Sequence, residues 1–181
     1  RTDEGRLLDR YHARVIFPVQ TVSGMTVAFG GRTLSADKKV AKYVNSPESE
    51  IYSKSRELYG LYLAKHAIVK QNRCYLVEGY MDVIAMHQSG IENVVASSGT
   101  SLTEGQIRLI HRFTDNITVL YDGDSAGIHA SLRGIDMLLA EGLNVKVLLL
   151  PDGDDPDSFA RKHSAADFQN YVETRQVDFI R

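Results

Sequence analysis

The chain has 181 residues, of which 43% are hydrophobic and 24% charged, and its formal net charge is −2. That length and apolar share predict one to two packed domains rather than a disordered tail. The single cysteine, Cys74, excludes a disulfide framework and a cysteine zinc site, and no apolar run nears the roughly 18 residues of a membrane span.

The N-terminus, Arg1-Thr-Asp-Glu-Gly5, lacks the apolar core of a signal peptide, so a cytoplasmic location is expected. The opening reads like a cut from a longer protein. Charge is unevenly spread. Residues 1–73 hold 13 Lys/Arg and 7 Asp/Glu, whereas residues 74–181 hold 8 and 16. Uneven surface charge explains such a split as well as a phosphate-binding surface beside a cation-binding one does, and charge alone does not decide.

From the N-terminal end, residues 14–34 alternate as strands do, and Ser23-Gly24 supplies a tight turn, which predicts a β-hairpin. Gly30-Gly31 lets the backbone come close to another group. Residues 35–50 read as irregular, with Asn45-Ser46-Pro47 as a turn. A helix is predicted from about Ser55 to Val69, its apolar face built from Leu58, Leu61, Tyr62, Ala64 and Ile68.

The rhythm then changes. Residues 73–77 read as a buried strand, 81–88 as a helix and 93–97 as a second strand. Thr103 caps a helix running to Phe113, with Gln106 at capping-box spacing. A third strand covers Asn116 to Tyr121, a helix runs from about Ala126 to Glu141, and Gly142 stops it. A fourth strand follows from Asn144. This alternation predicts a parallel sheet with helices on its faces, with a soft domain boundary near residues 55–72.

In such a sheet functional groups gather at the carboxyl ends of the strands. Glu78 follows the first strand, Asp122 and Asp124 the third, and Asp152, Asp154, Asp155 and Asp157 the fourth. Clustered carboxylates repel one another, and a cation offsets that cost. All-oxygen ligands suit Mg²⁺ or Mn²⁺, the usual apparatus of phosphoryl transfer. A lone Asp-Gly-Asp is often only a turn, and the run from Asp152 to Asp157 alone would pass for a solvated loop. Placement after three strands is what favours a site. A calcium loop from Asp122 fails, because Arg133 holds the twelfth position. Asp82 reads as a helix N-terminal acid or as a partner to the site.

Arg14, Arg32, Lys38, Lys39, Lys42, Lys54 and Arg56, with Tyr43 and Tyr52 between them, form a strip suited to polyanions. The Ser97-Ser-Gly-Thr-Ser101 turn precedes a helix and is a candidate for phosphate, or a plain connection. The histidines have no zinc-ligand spacing.

Glu78 after one strand and Asp122-Gly-Asp124 after a later one resemble the toprim domain shared by primases, topoisomerases and some nucleases. The segments Glu78-Gly-Tyr-Met-Asp82, Ala96-Ser-Ser-Gly-Thr-Ser101, Tyr121-Asp-Gly-Asp-Ser-Ala-Gly127 and Leu150-Pro-Asp-Gly-Asp-Asp-Pro-Asp157 are similar to those of bacterial replicative DNA primases. So are Arg14-Val-Ile-Phe-Pro18, Phe29-Gly-Gly-Arg32, Lys42-Tyr-Val-Asn-Ser-Pro-Glu48 and Leu58-Tyr-Gly-Leu-Tyr62. The resemblance covers roughly residues 8–165 and implies an α/β fold: a toprim-type parallel sheet flanked by helices, preceded by a small α+β subdomain with a hairpin. Its divisions would be a basic subdomain over 1–60, a toprim domain over 61–165 and the start of a helical region over 166–181.

The resemblance implies a DNA-dependent RNA polymerase that makes short RNA primers on single-stranded DNA from ribonucleoside triphosphates. It makes Glu78 and Asp82 catalytic. It gives Glu78, Asp122, Asp124, Asp155 and Asp157 two or more Mg²⁺ or Mn²⁺ ions. It assigns Arg14, Arg32, Lys42, Tyr43, Asn45 and Lys54 to nucleotide and template. The family's basic residue after Asp-Gly-Asp is Ser125 here, a departure from the pattern at one expected phosphate contact. Contacts with a replicative helicase and a single-strand-binding protein would run through regions outside this chain. The alternatives are a toprim nuclease or topoisomerase module, and a non-catalytic nucleic-acid-binding module.

Overall fold

Two sheets organise the chain, in a computed structural model that describes residues 5, 7, 9–99, 101–121 and 125–179, with backbone alone for 125–132. The first sheet is antiparallel, in the order β1 (Arg14–Gln20), β2 (Thr26–Thr33), β3 (Tyr43–Asn45). Phe17 and Val19 of β1 and Ala28 of β2 point inward and are buried, following the predicted alternation. The hairpin closes where the sequence places it: the Gly24 N–H donates to the Thr21 carbonyl at 2.9 Å, and Gly24 takes φ 93°. β3 lies in the stretch read as irregular. It is too short to show a period and exists by pairing with β2, with Asn45 opposite Gly30 and Tyr43 opposite Arg32.

The second sheet has five strands in the order β5 (Val94–Ala96), β4 (Cys74–Val77), β6 (Asn116–Tyr121), β7 (Asn144–Leu149), β8 (Val177–Asp178). The first four are parallel, as expected, and β8 adds an antiparallel edge to β7. Every residue of β4 and β5 is buried, the pattern of strands covered on both faces. Helices α1 (Leu61–Gln71), α3 (Glu104–His111) and α4 (Ser125–Ala140) cover one face through Ile68, Ile107, Ile110 and Leu138. Helices α2 (Tyr80–Gln88), α5 (Pro156–Lys162) and α6 (Ala165–Thr174) cover the other through Met86, Phe159 and Phe168. A smaller core of Phe17, Val19, Ala28, Tyr52 and Tyr80 joins the first sheet to the start of α2.

The α1 helix starts six residues later than its apolar periodicity suggests, because a neighbour claims the backbone first. Gln106 of α3 donates to the carbonyls of Lys54 and Glu57 at 3.0 and 2.9 Å, and the Thr103 hydroxyl donates to that of Ser55 at 2.7 Å. Tyr59 then exchanges backbone hydrogen bonds with Ala96, and Gly60, at φ 85°, turns the chain into the helix. The capping box is formed as predicted: Gln106 N–H donates to Thr103 Oγ1, and Thr103 N–H to Gln106 Oε1, both at 3.2 Å. Among the described residues no helix is long and apolar enough to cross a membrane.

Candidate active site

The carboxyl ends of β4 and β6, the turn after β5 and the start of α5 line a cleft of about 1030 Å³, together with Arg32 of β2 and Tyr43 and Asn45 of β3. Glu78, one residue past β4, lines it and is exposed. Its carboxylate makes no hydrogen bond or ion pair among the described residues. Tyr121, the last residue of β6, also lines the cleft. Asp122 and Asp124 follow it and lie outside the described residues, as does the side chain of Ser125.

Asp155 and Asp157 reach the cleft from the start of α5. Asp155 is the N-cap: its Oδ1 accepts from the Ser158 N–H at 2.6 Å, and its Oδ2 has no hydrogen bond among the described residues. Pro156 at the first helical position completes this start signal. Asp157 pairs with Arg161 at 3.0 Å. The other two acids of this loop take different roles. Asp152 turns the chain at φ 58°. Asp154 is buried, held by Lys162 at 2.6 Å and Ser158 at 2.7 Å, and those hydrogen bonds keep its carboxyl below the ordinary value. Asp154 therefore anchors the loop from which Asp155 and Asp157 project.

Asp82 sits at the third position of α2 and is 9% exposed. Its Oδ2 accepts from the Gly79 N–H at 3.1 Å, and its Oδ1 from the Asp157 N–H at 3.4 Å. It is the helix N-terminal acid, and it ties the start of α2 to the start of α5. This bridge fixes the spacing between the Glu78 and Asp157 backbones.

On the basic wall, Arg32, Lys42, Tyr43 and Asn45 line the cleft. The Lys42 ammonium lies 5.9 Å from the Tyr43 ring centre. Burial raises the Tyr43 phenol, Arg32 opposes that, and Asp82, Asp157 and Asp155 add to it, so acids and bases share one field. Arg14 and Lys54 are not on the wall. Arg14 Nη1 donates to the carbonyls of Gly31, Ala41 and Lys42 at 3.2, 2.9 and 3.4 Å, supporting the Lys42 segment from behind. Lys54 belongs to the turn clamped by Gln106. Two further liners bear on the chemistry. Arg133 brings a cation from α4, and Tyr80 is the keystone between the sheets. The Ser97–Gly99 turn also lines the cleft, with the Ser98 N–H donating to the Glu78 carbonyl at 3.1 Å.

The cleft carries no cysteine or histidine on its described wall, so its donors are hard oxygens suited to Mg²⁺ or Mn²⁺. Among the described residues no three acidic or soft groups close a metal site unaided. Mg²⁺ does not require that, since it keeps waters and shares substrate phosphates. Glu78, exposed and without a partner among the described residues, lines the same cleft as Asp155 and Asp157, and its carboxylate fits such an ion.

Two family models match: Toprim-like over residues 75–160, and DNA primase catalytic core, N-terminal domain, over residues 1–65. The chain is similar to the DNA primase of Halalkalibacterium halodurans, 49% identical over 95% of this chain and 28% of that one. It is similar to the Escherichia coli K12 DNA primase at 44% identity, over 94% of this chain and 30% of that one. Among solved structures, the Aquifex aeolicus primase (zinc-binding and RNA polymerase domains) matches with a TM-score of 0.90 at 37% identity, over 98% of this chain and 44% of that one. A DnaG primase catalytic domain bound to single-stranded DNA matches with a TM-score of 0.87 at 42% identity, over 97% of this chain and 57% of that one. The chain thus spans less than a third of the length of the curated relatives it matches.

Proposed function

This chain belongs to the family of bacterial DNA primase catalytic cores, and on that premise we propose that its cleft carries out metal-dependent nucleotidyl transfer, extending an RNA primer from ribonucleoside triphosphates on single-stranded DNA. The observation that carries the reading is one cleft in which the acids that follow the parallel strands meet cations of the first sheet and its neighbouring loop. Glu78, Asp155 and Asp157 line it together with Arg32 and Lys42. Neither set alone would suit a magnesium nucleotide.

Glu78, Asp155 and Asp157, together with Asp122 and Asp124, would hold the divalent ions, which when bound supply charge neutralisation at the phosphates and activate the attacking hydroxyl. Arg32 and Lys42 draw the triphosphate in and orient it, and Asn45 offers a neutral donor beside them. Asp82 and Asp154 keep the two acid-bearing helix starts in register. The template is read the same way: a relative's catalytic domain is solved with single-stranded DNA, and the basic wall here suits such a strand. Residues 1–60 then form the basic subdomain, 61–165 the toprim domain and 166–181 the start of a helical region, in a protein working beside the bacterial chromosome.

Calorimetric titration with ATP tests the reading. Binding requires Mn²⁺, and replacing Arg32 and Lys42 together by alanine weakens it by about 100-fold or more, the loss of two charge-assisted contacts. Affinity for ATP that ignores Mn²⁺ contradicts it.

A further inference from the structure

Asn45 can present either its carbonyl or its amino group to the cleft, and only the amino group attracts a phosphate. The surroundings decide between them. The Tyr80 hydroxyl lies 2.8 Å from Asn45 Oδ1 and donates to it. Nδ2 is then left facing the turn after β5, close enough that a Cβ on Gly99 would stand 3.1 Å from it.

Tyr80 cannot turn away. Phe17 stacks on its ring at 4.9 Å with an interplanar angle of 1°, and Tyr59 meets it edge-on at 4.7 Å. Gly30 lies against its outer edge, where an added Cβ would come within 2.5 Å of the ring. Tyr80 sits in the first turn of α2, two places after Glu78, while Asn45 ends β3 of the other sheet.

We infer that Tyr80 is a positioning residue for nucleotide: its hydroxyl fixes the Asn45 carboxamide with Nδ2 toward the cleft, where it donates to the triphosphate that Arg32 and Lys42 bring in. The inference rests on the nucleotide reading above and adds the hydrogen-bond relay that couples the acid-bearing strand end to the basic wall.

Tyr80→Phe keeps the ring and removes only the relay. Its affinity for Mn²⁺–ATP falls by about tenfold, the lower end of what one hydrogen bond to a charged group is worth, while Mn²⁺ alone binds as before. Asn45→Ala weakens nucleotide binding at least as much, and Tyr80→Phe adds nothing in that background, because the group it orients is gone. A second readout needs no nucleotide. With asparagine side chains labelled with ¹⁵N, the Asn45 carboxamide gives one sharp proton pair in the unmodified chain and a displaced or broadened pair in Tyr80→Phe. Unchanged ATP affinity in Tyr80→Phe, additive losses in the double variant, or an unmoved carboxamide pair each overturn the inference alone. An unmodified chain that binds no Mn²⁺–ATP overturns the functional reading, and the positioning role with it.

Discussion

Replacing Glu78 by glutamine lowers the affinity of the chain for Mn²⁺ by about 100-fold or more and leaves its folding intact. Loss of an outer-shell partner alone ordinarily costs a metal site about 10–100-fold, so loss of a carboxylate proposed as a direct ligand sets that as the floor. Stability is untouched for a specific reason. Glu78 is exposed and its carboxylate supports nothing among the described residues, so an amide of the same shape breaks no contact. Asp82 provides the contrast. Its two oxygens serve the N–H groups of Gly79 and Asp157, and Asp82→Asn loosens the bridge between the two helix starts while removing a charge. Calorimetric Mn²⁺ titration beside thermal unfolding separates the two. Glu78→Gln with normal Mn²⁺ affinity would remove Glu78 from the metal site.

Gly30→Ala destabilises the fold by about 2 kcal/mol, in the usual range for overpacking a filled core, and lowers the melting temperature by about 4–8 °C for a domain of this size. The added methyl would stand 2.5 Å from the Tyr80 ring, and that ring is clamped by Phe17 and Tyr59. One of three things must move: β2, α2 or the ring. Each displaces the hydroxyl from Asn45, so ATP affinity falls at least as far as in Tyr80→Phe. Gly24 shows why position matters. A methyl there would also meet an aromatic ring, Tyr62 at 2.7 Å, yet that ring lies beside the hairpin turn, outside the clamped cluster. The cost at Gly24 comes from its positive φ instead, about 1 kcal/mol. Thermal unfolding and ATP titration of Gly30→Ala check the claim, and an unchanged melting temperature would show that the keystone yields.

The elements readable from sequence were those whose signals are local. Asn116–Tyr121 is a buried strand by composition, and Thr103 with Gln106 caps a helix by spacing alone. The elements that were missed depend on distant partners. β3 needs Gly30–Arg32 to pair with it, and the start of α1 moves because Gln106, about 50 residues away, takes the carbonyls of Lys54 and Glu57. The site divides in the same way. Alternating strands and helices put Glu78, Asp155 and Asp157 at one edge of the sheet, and the structure brings them to one cleft. Arg14 shares its charge with Arg32 but serves as a strut, since three backbone carbonyls surround its Nη1. Its role depends on the path of residues 41 and 42, which its own neighbourhood in sequence does not encode. Tyr80 carried no polar signal in an apolar helix, and its importance lies in a contact with the other sheet.

Soaking crystals of the chain with Mn²⁺ and ATP tests the central claim most directly, because manganese is located by its anomalous scattering and the phosphates by density. The account predicts manganese between Glu78 and the Asp155/Asp157 helix start, with the triphosphate joined to Arg32, Lys42 and Asn45 Nδ2. Manganese confined to other surface carboxylates, with the nucleotide away from the β2–β3 wall, would contradict it.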